Sequence, residues 1–164
     1  MVILGIDPGI AIMGYGLVET SGSRVKYLTH GCIYTTPDMA MPDRLCALYD
    51  GVKQLYQQFQ PEAVAIEELF FAKNVKTAIT VAHARGAIVL ACQKCGIPMF
   101  EYTPKQVKQS IVGYGHADKK QVQYMVKTLL HMHEIPKPDD AADALAIAIG
   151  HSYVAKRCEE FRIR

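Results

Sequence analysis

Two short apolar runs, each ending in a carboxylate, constrain the fold of this chain more than any other feature. Residues 2–6 (Val-Ile-Leu-Gly-Ile) run into Asp7, and residues 63–66 (Ala-Val-Ala-Ile) run into Glu67. A continuous apolar run of this length is typical of a strand buried on both faces of a sheet. Helices must then cover both faces, and the two acids stand at the carboxyl ends of strands, where α/β sheets form their sites.

The rest of the chain predicts an α/β fold built on a five-stranded mixed sheet. Residues 14–18 and 25–35 have the composition of strands joined by a hairpin turn at 21–23, so the chain opens with three antiparallel strands. The remaining predicted elements are helices at 42–60, 75–95, 105–112, 119–131 and from 139 onward, and a strand at 99–102. Strand–helix alternation after the hairpins implies parallel strands flanked by helices.

Composition is that of one globular domain spanning residues 1–164. The chain is half apolar and carries a formal net charge of only +2. Its N-terminus lacks a basic region and meets an acid at the seventh residue, so it does not resemble a signal peptide. No apolar run reaches the length of a membrane span. We therefore expect a cytoplasmic protein, with residues 155–164 as a flexible basic tail.

Five cysteines, an odd number, occur without a secretion signal, and we expect them to be reduced thiols. Cys92 and Cys95 have the spacing of a redox motif. They fall late in a predicted helix rather than just after a strand, and no second pair completes a zinc site. We interpret them as an incidental, partly buried pair.

Three acids begin the last predicted helix, whose remaining residues are almost entirely apolar. Asp140 and Asp143 are three residues apart and share one helix face. Two carboxylates held side by side repel each other, which favours either a retained proton or a bound cation. The alternative is that the acids cap the helix and complement its dipole. That alternative remains open for Asp139, whereas for the pair a metal site is favoured.

Parallel pairing of the first and fourth strands would place Asp7 and Glu67 about 5 Å apart at Cα. The last helix could then bring Asp140 and Asp143 to the same sheet edge. Four carboxylates in a small volume are costly unless cations offset them, and Mg²⁺ is the hard divalent ion best suited to oxygen ligands in a cytosol. Two such ions suit phosphodiester hydrolysis, because one activates water and the other stabilises the leaving oxygen.

Seven short motifs follow one another along the chain. They are residues 3–9 (ILGIDPG), 14–16 (GYG), 65–67 (AIE), 70–74 (F-x-AKN), 84–86 (ARG), 106–109 (QVKQ) and 140–146 (DAADALA). Each is weak alone, but the ordered set, running to about residue 151, resembles the RuvC family. These are bacterial Holliday-junction endonucleases of the ribonuclease-H-like superfamily, whose five-stranded mixed sheet agrees with the order read above.

The resemblance implies four catalytic and metal-binding acids, Asp7, Glu67, Asp140 and Asp143. Glu67 is chosen over Glu68 by its place in the motif. The implied enzyme is a Mg²⁺-dependent homodimer, with Mn²⁺ able to substitute and two ions in each active site. It would bind four-way DNA junctions and nick two strands of like polarity symmetrically, leaving 5′-phosphate and 3′-hydroxyl ends for ligase. The branch-migration proteins RuvA and RuvB are the implied partners.

Six further residues are implied to bind DNA. Lys108 and Lys119 match basic residues facing the scissile phosphate, and Phe70 matches an aromatic at the junction centre, where base faces invite stacking. The other three are Lys73, Asn74 and Lys76, in a loop near the branch point. The alternative for the lysines is that they are solvated helix residues, and the alternative for Phe70 is ordinary core packing. Phe71 departs from the family pattern.

The predicted helix at 75–95 carries apolar and small residues on more than one face. A helix that packs only on its own sheet needs a single apolar stripe. The excess favours a second copy of the chain across a symmetric interface. The alternative is a third layer within the same domain, for which little chain remains.

Three other functions remain to be distinguished. The hairpin around residues 7–16 resembles the phosphate-binding hairpin of actin-like sugar kinases, which need two such domains where this chain has length for one. A ribonuclease-H-like nuclease acting on another nucleic acid is the second. The third is a junction-binding module without catalytic activity.

Overall fold

The computed structural model describes residues 1–22, 24–68, 75–154 and 159–163, with side chains of 75–77 excepted. In chain order its elements are β1 (Val2–Asp7), β2 (Ile12–Ser21), β3 (Arg24–Tyr34), α1 (Met41–Phe59), β4 (Ala63–Glu67), α2 (Val75–Lys94), β5 (Met99–Tyr102), α3 (Pro104–Val112), α4 (Lys119–Leu129) and α5 (Asp139–Val154). The predicted order of strands and helices is confirmed.

The five strands form one mixed sheet in the order β3-β2-β1-β4-β5. β1 is antiparallel to β2 and parallel to β4, and β4 is parallel to β5. The parallel pairing on which the meeting of Asp7 and Glu67 depends is therefore present. Ile6 pairs with Ile66, so that Asp7 and Glu67 leave the sheet side by side at one edge.

Apolar side chains on the two faces of the sheet form two cores. On one face, α1 and α2 pack over β1, β2 and β4 through Leu48, Val52, Ala84 and Ile88. On the other, α3, α4 and α5 pack through residues that include Val107, Val126, Leu145 and Ile149. Every residue of α5 from Ala144 to His151 is buried, which explains why that helix is apolar all round.

Glycines in β1 and β2 let α5 lie directly on the backbone of the sheet. A Cβ atom on Gly14 would lie 2.1 Å from the carbonyl oxygen of Asp140, and one on Gly5 would lie 2.0 Å from that of Ala144. No real side chain tolerates such distances. These glycines therefore set how closely α5 approaches β1 and β2.

The cysteine pair and the C-terminal residues are the subject of two further predictions. Cys92, near the end of α2, is fully buried in the core, and Cys95 is partly buried against the same core, which agrees with the expected partial burial of the pair. Of the tail predicted at residues 155–164, residues 155–158 and 164 lie outside the described part of the chain, and residues 159–163 contact β5. The Ile163 amide donates to the Met99 carbonyl at 2.9 Å, and Phe161 packs against Tyr102. No helix within the described segments is long and apolar enough to cross a membrane.

Candidate active site

The four predicted acids meet at one edge of the sheet, carried there by three separate elements. Asp7 ends β1 and Glu67 ends β4, while Asp140 and Asp143 occupy the first turns of α5. Gly14 of β2 pairs with Asp7 and also lies beneath the backbone of Asp140. The bare backbone of that glycine thus joins the sheet edge to the start of the helix and brings the acids together.

The electrostatics of Asp7 reflect this convergence. Burial raises its pKa to about 7, with further contributions from Glu67, Asp143 and Asp140. Burial also raises the pKa of Glu67, and the charge of Asp143 adds to that increase. The acids are therefore close enough to repel one another, and the cations of the chain only partly offset their charge.

Among the residues that the structure describes, Lys119, the first residue of α4, is the cation that forms an ion pair with this cluster. Its Nζ atom lies 3.1 Å from Oδ2 of Asp143 and 3.2 Å from Oδ2 of Asp139. Desolvation lowers the pKa of Lys119, but its hydrogen bonds and charge interactions with the two aspartates outweigh that effect and raise it. Burial raises the pKa of Asp143, and Lys119 opposes that shift.

A cavity of about 170 Å³ opens beside the acids and brings both predicted DNA-binding lysines to the same place. Glu67 and Asp143 line one part of it, and Lys108 and Lys119 line another. The remaining wall is apolar and consists of Pro104, Val107, Val122, Ala146 and Ile147. Carboxylates that could bind a cation and lysines that could bind a phosphate therefore line the same cavity.

The residues present fit a hard divalent cation in donor type and charge. The four acids offer only oxygen ligands, and the raised pKa of Asp7 indicates that they lack sufficient positive charge. The site is not a finished cage, because in the described part of the chain no three His, Cys, Asp or Glu side chains are arranged to hold one ion. Side-chain rotation and release of Lys119 from Asp143 would be needed.

Asp139 does not act as the helix cap that its position suggested. Its Oδ1 atom accepts a hydrogen bond from Nε2 of Gln123 at 3.0 Å, and its Oδ2 atom faces Lys119. The amides of Ala141 and Ala142 donate instead to the carbonyl of Pro138. Lys119 and Gln123 are four apart on α4 and share a face, which is the signal that sequence reasoning overlooked.

The other predicted DNA-binding residues are described in part or not at all. Phe70, Lys73 and Asn74 lie outside the described residues. Lys76 belongs to α2, but only its backbone is described. Their predicted roles remain predictions.

Three features of the site together define a class of protein. Two acids stand at the carboxyl ends of adjacent parallel strands, a second pair of acids lies on a helix that crosses those strands, and lysines line the opening beside them. That class is the ribonuclease-H-like nucleases, which hydrolyse phosphodiester bonds with divalent metal ions. The five-stranded mixed sheet in the order β3-β2-β1-β4-β5 agrees with this class.

Comparisons with known proteins identify the family within that class. The family model for the crossover junction endodeoxyribonuclease RuvC matches residues 3–151. Over 164 residues, all of both chains, this protein is 53% identical to RuvC of Alkaliphilus oremlandii. It is 57% identical over 151 residues to RuvC of Ruminiclostridium cellulolyticum, covering 92% of this chain and 91% of that one.

A solved structure gives the same result. T. thermophilus RuvC in complex with a Holliday junction substrate superimposes with a TM-score of 0.91 at 39% identity, covering 95% of each chain. The chain belongs to the RuvC family of crossover junction endodeoxyribonucleases. It is therefore an enzyme, a hydrolase acting on phosphodiester bonds of DNA.

Proposed function

We propose that this chain resolves four-way DNA junctions by metal-dependent hydrolysis at the site formed by Asp7, Glu67, Asp140 and Asp143. The observation that carries the proposal is the convergence of these four acids, of which Glu67 and Asp143 line the same opening as Lys108 and Lys119. A Holliday junction is the substrate named for the T. thermophilus relative. Two nicks in strands of like polarity, each leaving a 5′-phosphate and a 3′-hydroxyl, would give duplexes that ligase can seal.

The metal would be Mg²⁺, with Mn²⁺ as a substitute, and two ions in each site would be held by the four acids. When bound, such ions supply an activated water and stabilise the leaving 3′ oxygen. Asp7 would bind in its ionised form, since only the carboxylate is a good ligand for a hard cation. The partial burial of Asp7 and Glu67 would keep the site poor in competing water.

The basic residues would position the DNA rather than act in the bond-breaking step. Lys108 and Lys119 line the cavity beside the acids and are suited to contact the phosphates on either side of the scissile bond. We further propose that residues 70–76, through Phe70, Lys73, Asn74 and Lys76, contact the branch point. An aromatic side chain there would stack on a base face exposed by the junction.

A second copy of the chain would complete the enzyme by packing on α2. Ile79 and Leu90 are each 52% exposed, and they stand eleven residues apart, three turns along one face of that helix. His83 and Gly86 lie on the same stripe and are exposed, and a Cβ atom on Gly86 would meet nothing within 4 Å. A small residue between two exposed apolar ones allows two helices to approach closely across a two-fold axis.

A dimer would supply two active sites for two symmetric nicks, as a junction with two-fold symmetry requires. RuvA and RuvB, the branch-migration proteins, would be the further partners that deliver the junction. Both statements rest on the family to which the chain belongs.

The proposal is tested by comparing cleavage rates on a synthetic four-way junction, a linear duplex of the same sequence and an RNA–DNA hybrid, each with Mg²⁺. We expect cleavage of the junction, in two strands of like polarity. Preferred cleavage of the hybrid would instead identify a ribonuclease-H-like nuclease with another substrate. Binding of the junction without cleavage at any Mg²⁺ concentration would identify a binding module.

A further inference from the structure

Asp139 takes part in a contact that the proposed reaction leaves unexplained. It shares the ammonium group of Lys119 with Asp143, at 3.2 Å and 3.1 Å respectively. Its other oxygen accepts a hydrogen bond from the Gln123 amide at 3.0 Å. The carboxylate of Asp139 is thus tied to two side chains of α4, although it belongs to α5.

An exposed ion pair alone would carry little weight, because such pairs contribute little to stability. The side chain of Asp139 is 62% exposed. The contact with Gln123 gives Asp139 more weight than an exposed ion pair alone would have. Gln123 is only 8% exposed and is one of the few buried polar residues in the described chain. A buried amide that donates to Asp139 fixes the carboxylate in one orientation, with its second oxygen directed at Lys119.

Lys119 and a divalent cation compete for the same oxygen. If the Asp143 carboxylate were to hold a metal ion, as the proposed function requires, the ammonium group would have to move away from it, because two positive charges repel at such distances. Asp139 then remains as its partner. Lys119 would stay at the mouth of the cavity, beside the position of the phosphate, instead of turning into solvent.

We propose that Asp139, oriented by Gln123, is a positioning residue that draws Lys119 away from Asp143 and retains it at the mouth of the active site. The inference rests on the proposed function, since it concerns the same cation and the same phosphate. It has a consequence in the absence of DNA. Without Asp139 the ammonium group pairs with Asp143 alone, and a metal ion must displace it at a greater cost.

The test measures Mn²⁺ and Mg²⁺ binding to the DNA-free full-length protein by titration calorimetry, in a double-mutant cycle. The four proteins are wild type, Asp139→Asn, Lys119→Gln and the double variant. We expect Asp139→Asn to weaken metal binding roughly two- to fivefold, the size of a partly exposed charge interaction. In the Lys119→Gln background the same change should leave the affinity unchanged within error.

Two further variants separate positioning from other roles of Asp139. Asp139→Glu retains a carboxylate and should restore most of the metal affinity. Asp43→Asn, an exposed acid in the first turn of α1, makes the same change in net charge on the opposite face of the sheet from α5 and should have no effect. Melting curves for each variant establish that the fold is retained.

An equal loss of affinity in both Lys119 backgrounds would overturn the proposal, since Asp139 would then act by its own charge or through α5. Unchanged affinity in Asp139→Asn would overturn it as well. Failure of the proposed function would look different: the wild type would bind metal and leave the four-way junction uncut, while the coupling between Asp139 and Lys119 would still be measurable by calorimetry.

Discussion

At the scale of single residues, Asp7 shows how the fold concentrates unfavourable charge. Burial, together with Glu67, Asp143 and Asp140, raises its pKa to about 7. An aspartate in an unfolded chain titrates near 4. Between those two pH values the folded metal-free protein binds a proton that the unfolded chain has released. The contribution of Asp7 to stability therefore falls as the pH rises from about 4 to about 7.

The Asp7→Asn variant should remove this dependence. We expect it to stabilise the metal-free protein at pH 8 by about 1–3 kcal/mol and to leave stability at pH 4 nearly unchanged. The free energy of unfolding is measured by urea denaturation at the two pH values, in the presence of a chelator. Asp43→Asn serves as the control. A stability difference between wild type and Asp7→Asn that is the same at pH 4 and at pH 8 would contradict the account.

The second prediction at this scale concerns Lys119. Replacement by alanine should slow junction cleavage and reduce the salt dependence of junction binding by about one released counterion, because one phosphate contact is lost. Binding measured over a range of salt concentrations gives this slope. Lys53→Ala, on α1 and away from the cavity, is the matched control. An unchanged slope for Lys119→Ala would argue against a phosphate contact.

At the scale of elements, the approach of α5 to β2 determines the geometry of the site. Gly14→Ala would place a methyl group 2.1 Å from the carbonyl oxygen of Asp140. The helix must shift, and Asp140 and Asp143 shift with it. We expect a loss of stability of about 1–3 kcal/mol, the usual cost of overpacking, and a larger loss of cleavage than of junction binding.

Gly115→Ala is the control for this prediction. The three atoms nearest to its Cβ atom would all belong to the side chain of Lys105, the closest at 2.5 Å, and a lysine side chain can turn aside more readily than the backbone of a helix. Thermal unfolding and cleavage assays of both variants make the comparison. Wild-type cleavage by Gly14→Ala would show that the site does not depend on the contact between α5 and β2.

Element order could be predicted from the sequence because periodicity and turn residues are local signals. The apolar runs before Asp7 and Glu67 placed each acid at the carboxyl end of a strand, and the pairing of β1 with β4 brings those two ends together. The approach of α5 could not be predicted in this way. It depends on Gly14 lying opposite the Asp140 backbone, a contact between residues far apart in the chain.

The same limit applied to Asp139, for which a helix cap remained an open interpretation. Capping is a local property, and its preferences are read from neighbouring residues. The carboxylate is instead engaged by Gln123 and Lys119 of α4, which are sixteen or more residues away. Only the packing of α4 against α5 places those three side chains together.

At the scale of the whole molecule, the exposed stripe on α2 predicts the oligomeric state. Leu90→Glu should convert a dimer into monomers, because a charge would be buried between the two helices. Sedimentation velocity makes the measurement. Monomers should retain metal binding but lose paired nicking of the junction.

Tyr124→Glu is the matched control for Leu90→Glu. Tyr124 is an exposed aromatic residue on α4, 62% accessible and outside the α2 stripe, and its replacement should leave the oligomeric state unchanged. A wild-type protein that is monomeric at micromolar concentration, or a Leu90→Glu variant that remains dimeric, would contradict the proposed interface.

The central claim is that Asp7, Glu67, Asp140 and Asp143 act together as one metal site for DNA cleavage. Mg²⁺-dependent cleavage of a synthetic four-way junction, measured alongside junction binding for the Asp143→Asn variant, tests it most directly. We predict that Asp143→Asn binds the junction with near wild-type affinity and loses at least about a hundredfold in cleavage rate. Cleavage by Asp143→Asn at the wild-type rate, with binding also unchanged, would contradict the claim.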